Sequence, residues 1–141
     1  MNPPERDLYT DGASRGNPGN AGAGAILIGP GGDIEAALKK SLGVCTNNEA
    51  EYKALILGLE EALRMKNRRL RIFLDSELIV RQLQGVYRIK NSRLSGLAAE
   101  ARNLLSFLDG YTIEHIPRER NAMADRLANE AIDEALGKSE K

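Results

Sequence analysis

LYTDGASRGNPGNAGAG, residues 8–24, brings a strand to a carboxylate and then surrounds that carboxylate with small side chains. Leu8 and Thr10 fall on one face, and Tyr9 and Asp11 on the other, the period of two that marks a strand. RDLYTD therefore reads as a strand closing on Asp11. The Gly, Ser, Asn and Pro that follow predict a turn, and AGAGAILI predicts a second strand. GPGG at 29–32 is another turn signal, and DIEAALKKSL reads as a returning third strand. The first third is thus an antiparallel meander.

Beyond the meander the period changes. Tyr52, Leu55, Ile56, Leu59 and Leu63 form one apolar stripe, which predicts a helix over 48–65 with Asn47 or Asn48 as N-cap. LRIFLD is a short buried strand ending on Asp75. Ser76 caps a helix that runs to about Gln84 and stops at Gly85. YRIKNSR is a basic connector, Leu94 to Leu108 a further helix, and YTIEHI a last strand ended by Pro117. Asn121 to Leu136 is the final helix, with Ala124, Leu127, Ala128, Ala131, Ile132 and Ala135 as its buried stripe. Three meander strands followed by strand–helix alternation predict an α/β fold, a five-stranded mixed sheet flanked by helices. The 141 residues read as a single domain with an ordered core over about 6–136 and a loose end at 1–5.

Composition narrows the setting. One cysteine, Cys45, rules out an intramolecular disulfide framework and a Cys-cluster zinc site, and fits a reducing, cytoplasmic compartment. No apolar stretch approaches the roughly 20 residues of a membrane span, and no charged-then-apolar leader is seen, so neither membrane nor signal peptide is expected. Lys+Arg and Asp+Glu balance at 20 each, so any nucleic-acid contact must rest on local patches.

Ligands of such sheets bind outside the carboxyl ends of the parallel strands. Asp11 and Asp75 both close strands. If those strands are parallel neighbours, helix 48–65 starts at the same edge and brings Glu51, and the final helix brings Asp125. Glu51 borders the buried stripe, whereas Glu49 falls on a more exposed face, so Glu51 is preferred. Taken singly, each acid also fits a solvated strand end or a helix N-terminus. Taken together, they need counter-cations, because clustered buried carboxylates repel. Hard divalent ions with oxygen ligands supply that charge, and a pair of them suits phosphodiester hydrolysis.

YTDGASRGNPG, TNNEAEYKAL, FLDSELIV and RERNAMADRLANEA, in this order, resemble the successive motifs of type 1 ribonuclease H, from about Arg6 to Leu136. The resemblance implies the ribonuclease H-like sheet and an endoribonuclease that cleaves the RNA strand of RNA–DNA hybrids with two Mg²⁺ or Mn²⁺ ions in the substrate complex. It implies Asp11, Glu51, Asp75 and Asp125 as catalytic metal ligands. It places Asn17, Asn47 and Asn48 at RNA 2′-hydroxyls and nearby backbone, Thr46 at a DNA-strand phosphate, and Gly12 where main chain approaches the duplex. The Gly-Ala run equally suits tight strand packing.

The chain departs from the family in two places. IPRERNAMAD lacks the loop histidine of many members, and Arg118 is the candidate to supply charge at the leaving oxygen; a solvated loop role is the alternative. The only histidine, His115, reads as structural. In place of a large basic protrusion stand Arg88, Lys90 and Arg93. The dense basic run at 64–71 should lie away from the acids. A monomer is expected. All four acids, with TNNEAE and GNPG, favour ribonuclease H over a silent nucleic-acid-binding module or a DNA-strand nuclease on the same sheet.

Overall fold

The computed structural model describes residues 5–137. Three antiparallel strands open the fold: β1 (Arg6–Gly16), β2 (Gly19–Ile28) and β3 (Ile34–Cys45). Then follow α1 (Asn47–Arg64), β4 (Arg69–Leu74), α2 (Glu77–Leu83), α3 (Ser92–Leu105) and β5 (Gly110–His115). A short 3₁₀ turn (Arg118–Asn121) leads into α4 (Ala122–Ala135). The sheet order is β3-β2-β1-β4-β5, with β4 parallel to both β1 and β5. This is the expected mixed sheet. Residues 1–4 of the expected loose end lie outside the described residues.

β1 differs from its expected bounds. It does not close on Asp11 but runs to Gly16, paired with β2 from Asp7↔Ile28 to Gly16↔Gly19. The turn residues of the sequence compress into the tip of one long hairpin. The parallel ladder with β4 does stop early, at Tyr9↔Phe73. Asp11 therefore sits within a hairpin strand but beyond the end of the parallel pairing.

Helices cover both faces of the sheet, and the Gly-Ala run lets them come close. A Cβ on Gly22 would lie 2.3 Å from the Ala128 carbonyl oxygen, and one on Gly24 2.2 Å from that of Ala124. Both are α4 backbone, so a side chain at either position would drive the helix off the sheet. On the other face α1 lies between the sheet and α3. That double contact explains why Ala50, Ala54, Gly58 and Ala62 are buried along with the expected stripe of Tyr52, Leu55, Ile56 and Leu59. Each wholly buried leucine contributes roughly 1.5–3 kcal/mol, and Leu8, Leu55, Leu59, Leu70 and Leu74 lie together in this core.

Three local expectations are corrected. The N-cap of α1 is Thr46, not Asn47 or Asn48. Its hydroxyl accepts from the Glu49 N–H while the Glu49 carboxylate accepts from the Thr46 N–H, a capping box. Glu49 is consequently buried rather than exposed. On α4, Ala135 is exposed and Leu127 only half-buried, because the fully buried face of the helix is Ala124, Ala128, Ala131 and Ile132, with Leu127 at its edge beside Gly24. Ser76 caps α2, and Gly85, at φ +80°, follows its C-terminal end as expected.

Candidate active site

Where β1 and β4 part company, three carboxylates meet. Asp11, Glu51 and Asp75 each offer an oxygen within 4.8 Å of the others. The folding of each segment explains the convergence. Asp11 lies on the β1 face that α4 covers, and Asp75 is the first residue after β4. Glu51 is brought in by the close approach of α1 to β1 at Gly12. A Cβ there would lie 2.2 Å from the Ala50 carbonyl carbon, and the bare Gly12 N–H donates to Glu51 Oε1 at 3.2 Å. Gly12 thus seats Glu51 as well as lining the cavity.

Asp11 is 1% exposed, and neither of its oxygens has a hydrogen-bond partner among the described residues. Burial, then the charges of Glu51 and Asp75, pushes its carboxyl up to about 10, with Asp125 adding to the effect. Burial, then the charge of Asp75, pushes Glu51 up to about 8, opposed by the Gly12 N–H and the Arg118 guanidinium. Such a group of acids, with Asp11 lacking any donor among the described residues, is short of positive charge. Orphaned, buried carboxylate oxygens are what a divalent cation with hard oxygen ligands would satisfy.

The cavity over these acids has a volume of about 530 Å³. Gly12, Asn47, Asn48, Glu51, Asp75, Arg118, Asp125 and Asn129 line it. Asp125 therefore joins the site from α4, although it lies outside the tight group of three. Asn48 also lines a second hollow, with Asn17, Thr46, Asn91 and Arg93. The two hollows share Asn48, at the N-terminus of α1. Asn17 ties the hairpin tip to that terminus, its Oδ1 accepting from the Asn47 N–H at 3.0 Å.

Other expected residues lie elsewhere. Arg88 and Lys90 are exposed on the connector between α2 and α3, line neither hollow, and pair with no acid among the described residues. Arg93 is not free for the connector's basic patch; it pairs with Glu49 at 3.1 Å. His115 is exposed on β5 and lines neither hollow. Two polar residues were not anticipated. Asn121 donates to the Thr10 carbonyl at 2.8 Å and to Asp75 Oδ2 at 2.9 Å. Asn129 donates to Asp125 Oδ1 at 3.3 Å, while Arg15 donates to Asn129 Oδ1 at 3.2 Å. The spacing of Asn121, Asp125 and Asn129, four residues apart on one helix face, is the signal that points to them.

The Reverse transcriptase-like family model matches residues 9–131. The chain is 43% identical over 127 residues to ribonuclease HI of Halobacterium salinarum, which covers 90% of this chain and 64% of the relative. The crystal structure of LC11-RNase H1 in complex with RNA/DNA hybrid superposes with a TM-score of 0.87 at 42% identity, over 93% of this chain and 99% of that one. The chain belongs to the ribonuclease H family. A bifunctional protein of Mycobacterium tuberculosis is 41% identical over 129 residues, 91% of this chain. This ribonuclease H chain spans 35% of that protein and just under two-thirds of the archaeal one. No helix among its described residues is long and apolar enough to cross a membrane.

Proposed function

We propose that this chain is a metal-dependent endoribonuclease that hydrolyses the RNA strand of RNA–DNA hybrids. The observation that carries the reading is the Asp11–Glu51–Asp75 cluster, with both Asp11 oxygens buried and unpartnered. Asp11, Glu51, Asp75 and Asp125 are the residues that would hold two Mg²⁺ or Mn²⁺ ions. Such ions, when bound, activate an attacking water and stabilise the leaving oxygen of an in-line displacement.

The chain's own groups supply the rest. The Gly12 N–H orients Glu51, and Arg118, at the cavity rim, places a permanent positive charge where the leaving oxygen gains negative charge. Asn47 and Asn48 offer amides that both donate and accept, the capacity needed to read a 2′-hydroxyl and so distinguish RNA from DNA. Asn48 links the acids to the hollow at Asn17 and Thr46, which suits a phosphate of the paired DNA strand. Gly12 lets backbone approach the duplex, and Arg88 and Lys90 extend the contact on the connector. The reading includes a monomer in a reducing cytoplasm, in keeping with one buried, free Cys45.

One assay tests this. A labelled RNA–DNA hybrid, a double-stranded RNA and a double-stranded DNA of one sequence are incubated with the protein, with and without Mg²⁺. Internal cuts in the RNA of the hybrid alone, only with Mg²⁺, are expected. Metal-independent cutting, or cutting of the DNA strand, contradicts the reading.

A further inference from the structure

We propose that Asn121 is a positioning residue that holds Asp75 in place relative to Asp11 without neutralising either acid. The proposal rests on the metal-dependent reading above. The parallel ladder between β1 and β4 ends at Tyr9↔Phe73, so no backbone pairing fixes Thr10 and Asp11 against Asp75. Asn121 spans that gap. It is 1% exposed, and its single side-chain nitrogen donates to the Thr10 carbonyl at 2.8 Å and to Asp75 Oδ2 at 2.9 Å. Both amide hydrogens are used. One carries the tether to the residue before Asp11, the other the tether to Asp75.

The chemistry of the side chain matters as much as its place. A Lys or Arg here would hold Asp75 but cancel its charge and compete with a cation. A neutral amide fixes the carboxylate and leaves its full negative charge, and the remaining oxygen, for a metal. Asn121 also begins the helix that carries Asp125 one turn later, so one buried residue connects three of the four acids. Its own Oδ1 is buried without a partner.

Asn121→Ala and Asn121→Leu, the second filling the volume without a donor, test the assignment. Circular dichroism and thermal unfolding establish that each is folded. Calorimetric titration with Mg²⁺ alone, and kcat and KM on a hybrid, are then measured. Loss of an outer partner of a metal ligand commonly weakens metal binding or activity by about 10–100-fold. We expect the Mg²⁺ dissociation constant to rise and kcat to fall within about that range, with KM changed far less. A folded variant with a lower Tm but unchanged Mg²⁺ affinity and kcat would make Asn121 a purely structural tie and overturn the proposal. If the wild-type protein cuts no hybrid, the enzymatic reading fails, and the metal titration alone decides the positioning role. Should neither variant fold, the wild-type protein decides by NMR. The Asn121 side-chain amide resonances shift on adding Mg²⁺ if they hold a ligand carboxylate, and unmoved resonances overturn the proposal.

Discussion

The parallel ladder of β1 and β4 has charged side chains at both of its ends and uses them in opposite ways. At one end Asp7 meets Arg71, whose guanidinium donates to both carboxylate oxygens at 2.7 and 3.1 Å. Four residues further along each chain segment, Asp11 meets not a base but a second acid, Asp75, and a third, Glu51. In the basic run of 64–71 that ends at Arg71, Arg64 likewise pairs with Glu61 and Arg68 with Asp109. Those pairs are exposed and contribute little individually, a median of about 0–1 kcal/mol. Around Asp11 the acids converge, with Asp11 and Glu51 buried. Among the described residues no base pairs with Asp11, while only Arg118 and the Gly12 N–H oppose the charge at Glu51. A solvated face neutralises itself; a binding site leaves a charge deficit for its ligand to fill.

The largest difference between the two ends should appear in catalysis. Asp75→Asn is expected to lower hybrid cleavage in Mg²⁺ by at least about 10²–10³-fold while the protein stays folded, the scale of losing one key electrostatic contact to a transition state. Asp7→Asn, which breaks only the exposed pair, should stay within about twofold of wild type, in line with the small worth of such pairs. Steady-state rates on one hybrid check both, and near-wild-type turnover in Asp75→Asn would remove the distinction.

Neighbouring acids sharpen it further. Glu51→Gln should lose on the order of 10² in rate. Glu49→Gln should lose almost nothing, because Gln still closes the capping box with Thr46. Helical phase alone assigns Glu49 to an exposed face, and the structure shows why that is wrong: the cap and Arg93 bury it. The preference for Glu51 therefore stands on the Gly12 contact and the shared cavity, not on exposure. The reverse order of activities would transfer the site to Glu49.

Arg118 is expected to matter less than any acid. Arg118→Ala should lower kcat by about tenfold, one oriented charge at the leaving group, and raise KM less. An effect on KM alone would make it a binding residue. Arg88 and Lys90, outside both hollows, should matter least. Changing both to Ala should flatten the log–log dependence of KM on salt by up to about 2 units and leave the metal-saturated rate intact, each lost phosphate contact being worth about 0.9 on B-DNA. Unchanged salt dependence would remove the connector from the interface.

Much of this arrangement is legible in the residues. The changes of period place each strand and helix in order, and that order brings Asp11, Glu51, Asp75 and Asp125 to one edge once β1 and β4 are parallel neighbours, as they are. The extension of β1 to Gly16 is not legible, because Gly12, Ala13 and Ser14 carry no alternation and their pairing depends on β2. The Thr46-x-x-Glu49 capping signature is present in the sequence, but two adjacent asparagines compete for the same role. Asn121 is a helix start like any other until the fold brings Thr10 and Asp75 against it. Only tertiary structure decides which small residues serve packing, as at Gly22 and Gly24.

The central claim is that the acids at the end of the parallel ladder are held for cations. Raised carboxyl pKa values mean that the folded protein binds more protons than the unfolded chain. The stability contributed by Asp11 and Glu51 is therefore fully present below their unfolded values and is lost as pH rises through about 8 for Glu51 and about 10 for Asp11. The most direct measurement is Tm between pH 6 and 8.5, with and without Mg²⁺, for wild type, Asp11→Asn and Asp7→Asn. The metal-free wild type should lose stability as pH rises, and Mg²⁺ should restore it increasingly at high pH. Asp11→Asn should be more stable than wild type without metal at pH 8.5, on the order of 2 kcal/mol or about 5 °C, and should lose most of the Mg²⁺ response. Asp7→Asn should keep that response in full. A wild type indifferent to Mg²⁺, or an Asp11→Asn variant that responds to it as the wild type does, would contradict the account.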